Sequence, residues 1–166
     1  LRTDIVYNNL ISSAYLKNKI EIKSDGTPIR PVIHILDVCN AVNAVLCSSK
    51  TIVNKKAYNI GIKNGNYTIK LMAETIQNIL KGSKVSFTGE HGSDSRTYAV
   101  SFKRIFSELN NFKPEWNLTR GGEELILFFK KINFNEENFN GKMTNRLNML
   151  NYLIKNNNLN DEFFWK

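Results

Sequence analysis

The stretch TPIRPVIHILDVCNAVNAVL, residues 27–46, carries the features on which the fold turns. Arg30 precedes Pro31, and a residue before proline is pushed out of the helical region into extended backbone. PVIHI is a short apolar run that reads as a strand. In DVCNAVNAVLCSS, residues Val38, Ala41, Val42, Val45 and Leu46 recur at i, i+3, i+4, i+7 and i+8. That is the stripe of an amphipathic helix, with Asp37 placed to cap its start. Strand then helix, with an arginine at the strand's mouth, sets the pattern to look for on either side.

Upstream, Asp4 to Lys17 reads as a helix, with Val6, Leu10 and Ala14 at helical spacing and Asp4 as its cap. KIEIK (19–23) alternates apolar and charged residues like a half-buried strand, and SDGT is a turn by composition. Downstream, KAYNIG (56–61) reads as a strand ended by Gly61. A loop follows, then a helix capped by Thr68 with Ile69, Met72, Ala73, Ile76, Ile79 and Leu80 on one face. KVSF (84–87) is a strand and TGEHGSDSR (88–96) a polar, glycine-containing loop. Helices are expected at Ser101–Leu109, Glu123–Lys131 and about Lys142–Lys155, with Asn133–Asn140 as a solvated connection. Alternating strands and helices predict an α/β fold.

The 166 residues correspond to one domain, long enough to bury a core without staples. No apolar run approaches the length of a membrane span, and the first residues lack the regions of a signal peptide. Cys39 and Cys47 share one expected helix, with backbones roughly 12 Å apart, too far for a disulfide. Free thiols point to a reducing, cytoplasmic setting. The net charge of +8 admits nucleic acid, an anionic surface or a phosphorylated substrate. The lysines are spread along the chain and form no basic block with interleaved aromatics, which is how an ordinary solvated surface reads.

No GxGxxG, P-loop, CxxC pair, HExxH or nucleophile elbow occurs. His34 sits in an apolar run and His91 in a loop without an obvious partner, so neither marks a catalytic centre. Anion binding is better represented. Arg30 is held extended by Pro31, and Arg96 stands in SDSRTY at the end of a polar loop. Arginine suits bidentate phosphate recognition. Two arginines on separate loops can converge on a diphosphate, each contact contributing about 1.5–3 kcal/mol. The competing reading pairs each with a nearby carboxylate: Asp25, Asp37 or Asp94.

Taken in order, RTDIVYNNL, GTPIRPVIHILDVCNAVNAVL, AYNIG, YTIKLMAETI and DSRTYAVSFKRI resemble the C-terminal half of the NAD-dependent epimerase/dehydratase family, the extended short-chain dehydrogenases (SDR) that act on nucleotide sugars. The resemblance runs from Leu1 to about Glu124. The remaining tail resembles C-terminal extensions of some bacterial members. The resemblance implies that Arg30 and Arg96 contact a substrate diphosphate, joined by Asn8 or Asn9, between which the register stays open. It also implies that AYNIG is a late strand of the nucleotide-binding sheet.

The glycine fingerprint of the family is absent, and so is its Tyr-x-x-x-Lys catalytic pair. Tyr15 and Lys19 have the spacing but fall after the segment where the family places its catalytic helix. The expectation is therefore the C-terminal portion of an extended SDR Rossmann-type fold with its small substrate-binding subdomain. The N-terminal dinucleotide-binding region, roughly 150 residues, is absent. Residues 1–132 would form the substrate-binding part and 133–166 a helical extension. NAD or NADP would serve the intact enzyme, a nucleotide-diphosphate sugar would be its ligand, and a homodimer its form. Whether this chain acts as an enzyme stays open. A non-catalytic nucleotide-sugar binding module and a basic nucleic-acid-binding domain are the rivals. Exposed apolar surface is expected on AYNIG and on the VCNAVNAVL helix.

Overall fold

The computed structural model describes residues 1–89 and 96–166. Helix α1 (Val6–Lys17) buries Tyr7, Leu10, Ile11 and Ala14. It ends at Asn18, whose left-handed φ of 51° lets its N–H close onto Ala14 O. Asp4 does not cap it. Its carboxylate takes the Arg2 guanidinium at 2.9 Å and the Arg146 backbone N–H at 3.2 Å. The reversal at Asn18 launches β1 (Lys19–Ile22), which buries Ile20 and Ile22 on one face. This strand pairs in parallel with β4 (Lys84–Phe87), Lys19 opposite Lys84 and Ile22 opposite Phe87.

A parallel pair needs a long crossover. Here that crossover holds a second, antiparallel ribbon and one wall of the site. β2 (Ile29–Pro31) pairs with β3 (Asn66–Thr68), Arg30 opposite Tyr67. The strand expected at PVIHI is thus shifted: pairing stops at Pro31, although Val32 N–H still reaches Gly65 O at 3.0 Å. Helix α2 (Ile35–Leu46) starts at Ile35, with His34 rather than Asp37 at the cap position. Its buried residues are Asp37, Ala41 and Ala44, while Val42 is 52% and Leu46 78% exposed. The helix turns its small residues inward and leaves apolar surface outside, as expected. α3 (Lys50–Val53) follows, then α4 (Ile69–Ile79). Thr68 caps α4, accepting from Leu71 N–H at 3.1 Å, and α4 buries Ile69, Met72, Ala73 and Ile76.

AYNIG is not a strand. Residues 54–62 belong to no ladder, since a strand exists only where a second backbone pairs with it. Tyr58 and Ile60 instead lean on a small second core made by Ala41 and Ala44 of α2 with Phe102, Ile105, Leu109 and Phe112 around α5 (Lys103–Glu108). Only part of the apolar surface expected on this segment is therefore exposed. Gly61 permits the contact: a Cβ there would lie 2.3 Å from the Phe102 ring.

Glu108 fastens the same segment. It accepts from Tyr58 Oη at 2.7 Å, Lys56 Nζ at 2.9 Å and Arg104 Nε at 3.1 Å. Led by the Tyr58 hydrogen bond, then that of Lys56, these hold its carboxyl down to about 2 from the ordinary 4.5. A carboxyl lowered on folding stabilises the fold above pH 4.5, and that contribution drains away as pH falls toward 2. The stability gap between wild type and Glu108→Gln should be widest above pH 4.5 and close near pH 2 in thermal melts. Parallel pH profiles would contradict this fastening.

The main core is closed by α6 (Leu118–Lys131), which begins a turn earlier than its apolar spacing predicts. Asn117 caps it, accepting from Arg120 N–H at 2.9 Å. Gly122 lets α6 approach α1, because a Cβ there would sit 2.6 Å from Tyr7 Oη and 2.7 Å from Ile79. The segment after α6 is no solvated connection. Phe134 is buried, and Asn135 forms a capping box on α7 (Glu136–Asn140). Thr3 ties this region to the chain start through its N–H to Thr144 O (3.0 Å) and its hydroxyl to Phe139 O (2.8 Å). The last helix, α8 (Arg146–Lys155), is capped by Asn145. Cys39 and Cys47 are free and exposed. Among the described residues, no helix is long and apolar enough to cross a membrane.

Candidate active-site cleft

A cleft of about 850 Å³ opens where the start of α1, the start of α2 and one face of α6 meet. Asn8, Val32, Tyr67 and Trp116 are among its walls, and Ile35 and Leu127 add exposed apolar surface. His34 organises one side. Its Nδ1 accepts from Leu36 N–H at 3.3 Å, so its Nε2 carries the proton and donates to Glu124 at 2.7 Å. The ring stacks on Trp116 at 3.9 Å, and the Arg120 guanidinium lies 4.1 Å from the same indole. This histidine caps α2 and packs on Trp116 in the cleft wall.

Asp37 lies behind this wall, fully buried, and accepts the backbone N–H groups of Glu115 (2.9 Å) and Trp116 (3.0 Å). It anchors the segment that carries Trp116 and Asn117 into the cleft and pairs with neither arginine. Sequence reading missed this role. The available signal was spacing: Asp37, Ala41 and Ala44 stand at i, i+4 and i+7, so the acid belongs to the buried face.

Arg30 and Arg96 come together beside the cleft, not inside it. The chain at 96–101 runs along the β2–β3 ribbon. Ile29 N–H donates to Thr97 Oγ1 (2.9 Å), and Asn66 makes a reciprocal pair with Val100, 2.9 Å each way. Arg30 Nη1 donates to Ile29 O at 2.9 Å and to Arg96 O, and its guanidinium lies 5.0 Å from the Tyr98 ring. Cross-strand partners share a face, so Arg30 stands beside Tyr67, which lines the cleft. Asn8 and Asn9 diverge. Asn8 is half-buried and lines the cleft, donating to Arg2 O at 2.8 Å, whereas Asn9 is exposed and donates to Thr3 O at 3.1 Å. His91 and Asp94 lie outside the described residues.

Tyr7 and Tyr67 are the phenols of the cleft. Burial pushes both up, so both remain protonated at neutral pH. Tyr7 donates to Leu118 O at 2.6 Å. Tyr15 packs on Phe129 and Phe134, and Lys19 pairs with Glu21 at 2.6 Å, so that spaced pair is engaged structurally. No metal-binding group of His, Cys, Asp and Glu occurs among the described residues. The sequence contains no GxGxxG motif of the kind that holds a dinucleotide pyrophosphate.

Residues 2–61 match the NAD dependent epimerase/dehydratase family. UDP-glucuronic acid 4-epimerase from Bacillus cereus, solved with UDP-glucuronic acid and NAD, superposes with a TM-score of 0.62 at 24% identity. The match covers 79% of this chain and 41% of that one. The dTDP-glucose 4,6-dehydratase of Bacillus anthracis, solved with NAD, gives 0.59 at 23% identity over 82% of this chain and 41% of that one. L-threonine dehydrogenase from Phytophthora infestans gives 0.62 at 11% identity over 75% and 41%. The chain thus spans 41% of the length of each of these proteins. The family model matches the resemblance over residues 2–61, which leaves the motifs beyond Gly61 outside the match, and the solved structures agree with it in fold.

Proposed function

With the C-terminal portion of the extended short-chain dehydrogenase fold as premise, we infer that this chain binds a nucleotide-diphosphate sugar and forms the substrate-binding part of an NAD(P)-dependent epimerase or dehydratase. The observation that supports this reading is the hydrogen bond from the Arg30 guanidinium to the backbone carbonyl of Arg96, beside the cleft. Both can turn fork-shaped donors toward one diphosphate, and Asn8, rather than Asn9, supplies an amide from the cleft wall. NAD or NADP serves the intact enzyme and is held by a dinucleotide-binding region that partners this part. The role of the present residues is positioning: they fix the nucleotide so that the sugar meets the reacting groups in one orientation.

The test is calorimetric titration of the 166-residue chain with UDP, dTDP, CDP and uridine. Arg30→Ala and Arg96→Ala should each weaken the preferred diphosphate about 10- to 100-fold and leave the phosphate-free nucleoside unaffected. Unchanged diphosphate affinity in both variants would overturn the clamp. A non-catalytic nucleotide-sugar binding module is the second reading, supported by the structural engagement of Tyr15 and Lys19. It keeps the same binding.

A further inference from the structure

Tyr98 is 51% exposed and belongs to neither hydrophobic core. Among the described residues its ring meets one partner, the Arg30 guanidinium at 5.0 Å. Core packing therefore does not explain the ring, and the arginine does: a guanidinium over an aromatic face is an attractive pair. The chain around Tyr98 is laced to the β2–β3 ribbon on both sides. Tyr98 N–H reaches Ile29 O at 3.4 Å, and Ile29 N–H donates to Thr97 Oγ1 at 2.9 Å. Further along, Asn66 of β3 donates to Val100 O and accepts from Val100 N–H, 2.9 Å each. These bonds give residues 97–100 one register against the ribbon, and that register sets the Tyr98 ring beside Arg30.

Arginine is among the side chains that lose most rotamer freedom when immobilised. An arginine ordered only by its ligand gives up binding free energy to that loss, and one already ordered does not. Arg30 is held at three points. Ile29 O and Arg96 O both accept from its Nη1, and the Tyr98 ring lies against the guanidinium. The two carbonyls fix the place of one nitrogen. The ring restricts rotation of the guanidinium plane, and the plane sets where a rigid fork of donors aims. Pro31 fixes the backbone part, because the residue before a proline is kept extended. We propose that Tyr98 is a positioning residue, its ring orienting the Arg30 guanidinium toward a ligand diphosphate beside the cleft. The diphosphate part rests on the function proposed above, and the orienting part rests on the Arg30–Tyr98 contact alone.

The test has a ligand-free arm and a ligand arm, both on the 166-residue chain. In the isotope-labelled chain, the Arg30 Nε–Hε signal is the one that disappears in Arg30→Lys. The Tyr98 ring current should displace it from the position of solvated arginines. Tyr98→Leu should return it there, and Tyr98→Phe should keep it displaced. Because Tyr98 is half exposed, leucine should leave the backbone amide spectrum otherwise in place. In the ligand arm, Tyr98→Leu should weaken UDP about three- to tenfold and leave uridine unchanged. Tyr98→Phe should restore the affinity, and in an Arg30→Ala background Tyr98→Leu should cost nothing further. An Arg30 signal that stays put in Tyr98→Leu overturns the proposal, ligand or none. So does a Tyr98→Leu loss that persists in full without Arg30, which would make Tyr98 a ligand contact in its own right. A phenylalanine variant as weak as leucine overturns it too, by placing the effect in the hydroxyl. UDP that fails to bind, or binds Arg30→Ala equally well, overturns the diphosphate role, while the ligand-free arm still decides the contact.

Discussion

Asp37→Ala is expected to lower the unfolding free energy by about 2–5 kcal/mol, because two buried N–H groups lose their acceptor and each unsatisfied donor costs about 1–3 kcal/mol. The donors are the backbone amides of Glu115 and Trp116, and no water can replace a carboxylate that is fully enclosed at 0% exposure. Asp37→Asn should lie between wild type and alanine, since its amide oxygen keeps one bond while its NH₂ faces the other donor. Urea unfolding measures both. The effect reaches the cleft, because this carboxylate holds Trp116 against His34 and places Asn117 at the start of α6. A loss under 1 kcal/mol would mean that the Glu115–Trp116 amides find other partners and that Asp37 is not the anchor.

Phe129→Ala should be comparably severe, about 3–5 kcal/mol. Phe129 is fully buried, stacks on Phe134 at 4.2 Å with 14° between the rings, and meets Tyr15 at 5.3 Å. It joins α1, α6 and the turn into α7, so its removal leaves a cavity among three elements rather than a dent in one. Leu127→Ala is the control on the same helix. At 67% exposure that residue buries little, and the change should stay within about 0.5 kcal/mol. Equal losses in the two variants would show that α6 does not pack with the phase described.

How far the chain could be read in advance differs from element to element. α4 was legible in full, cap and buried face alike, because Thr68 and the Ile69–Ile76 spacing answer to purely local rules. β1 was legible because its alternation matches a half-buried edge. AYNIG has strand composition and is no strand here, because β structure depends on a second backbone that composition cannot supply. The α2 stripe was legible in part: Ala41 is buried and Val45 packs on the second core, whereas Val42 and Leu46 are exposed and Ala44 takes the inward place beside Ala41. The Asn133–Asn140 segment reads as polar by count, but one phenylalanine, Phe134, fixes it to the core.

The candidate site divides the same way. The linear order of residues by itself determined an α/β chain with extended backbone at Arg30, a helix behind it and a second arginine on a later loop, since proline, helical periodicity and turn composition act over a few residues. It could also nominate Arg30 and Arg96, while the family resemblance added Asn8 or Asn9 without choosing between them. Only the tertiary structure decided that Asn8 faces the cleft, that Arg30 and Arg96 meet through the backbone at 96–101, and that Asp37 is a buried anchor rather than a cap. These are contacts between residues 66 to 79 positions apart. Such distances are closed by packing of the whole chain, and local propensity carries no information about them.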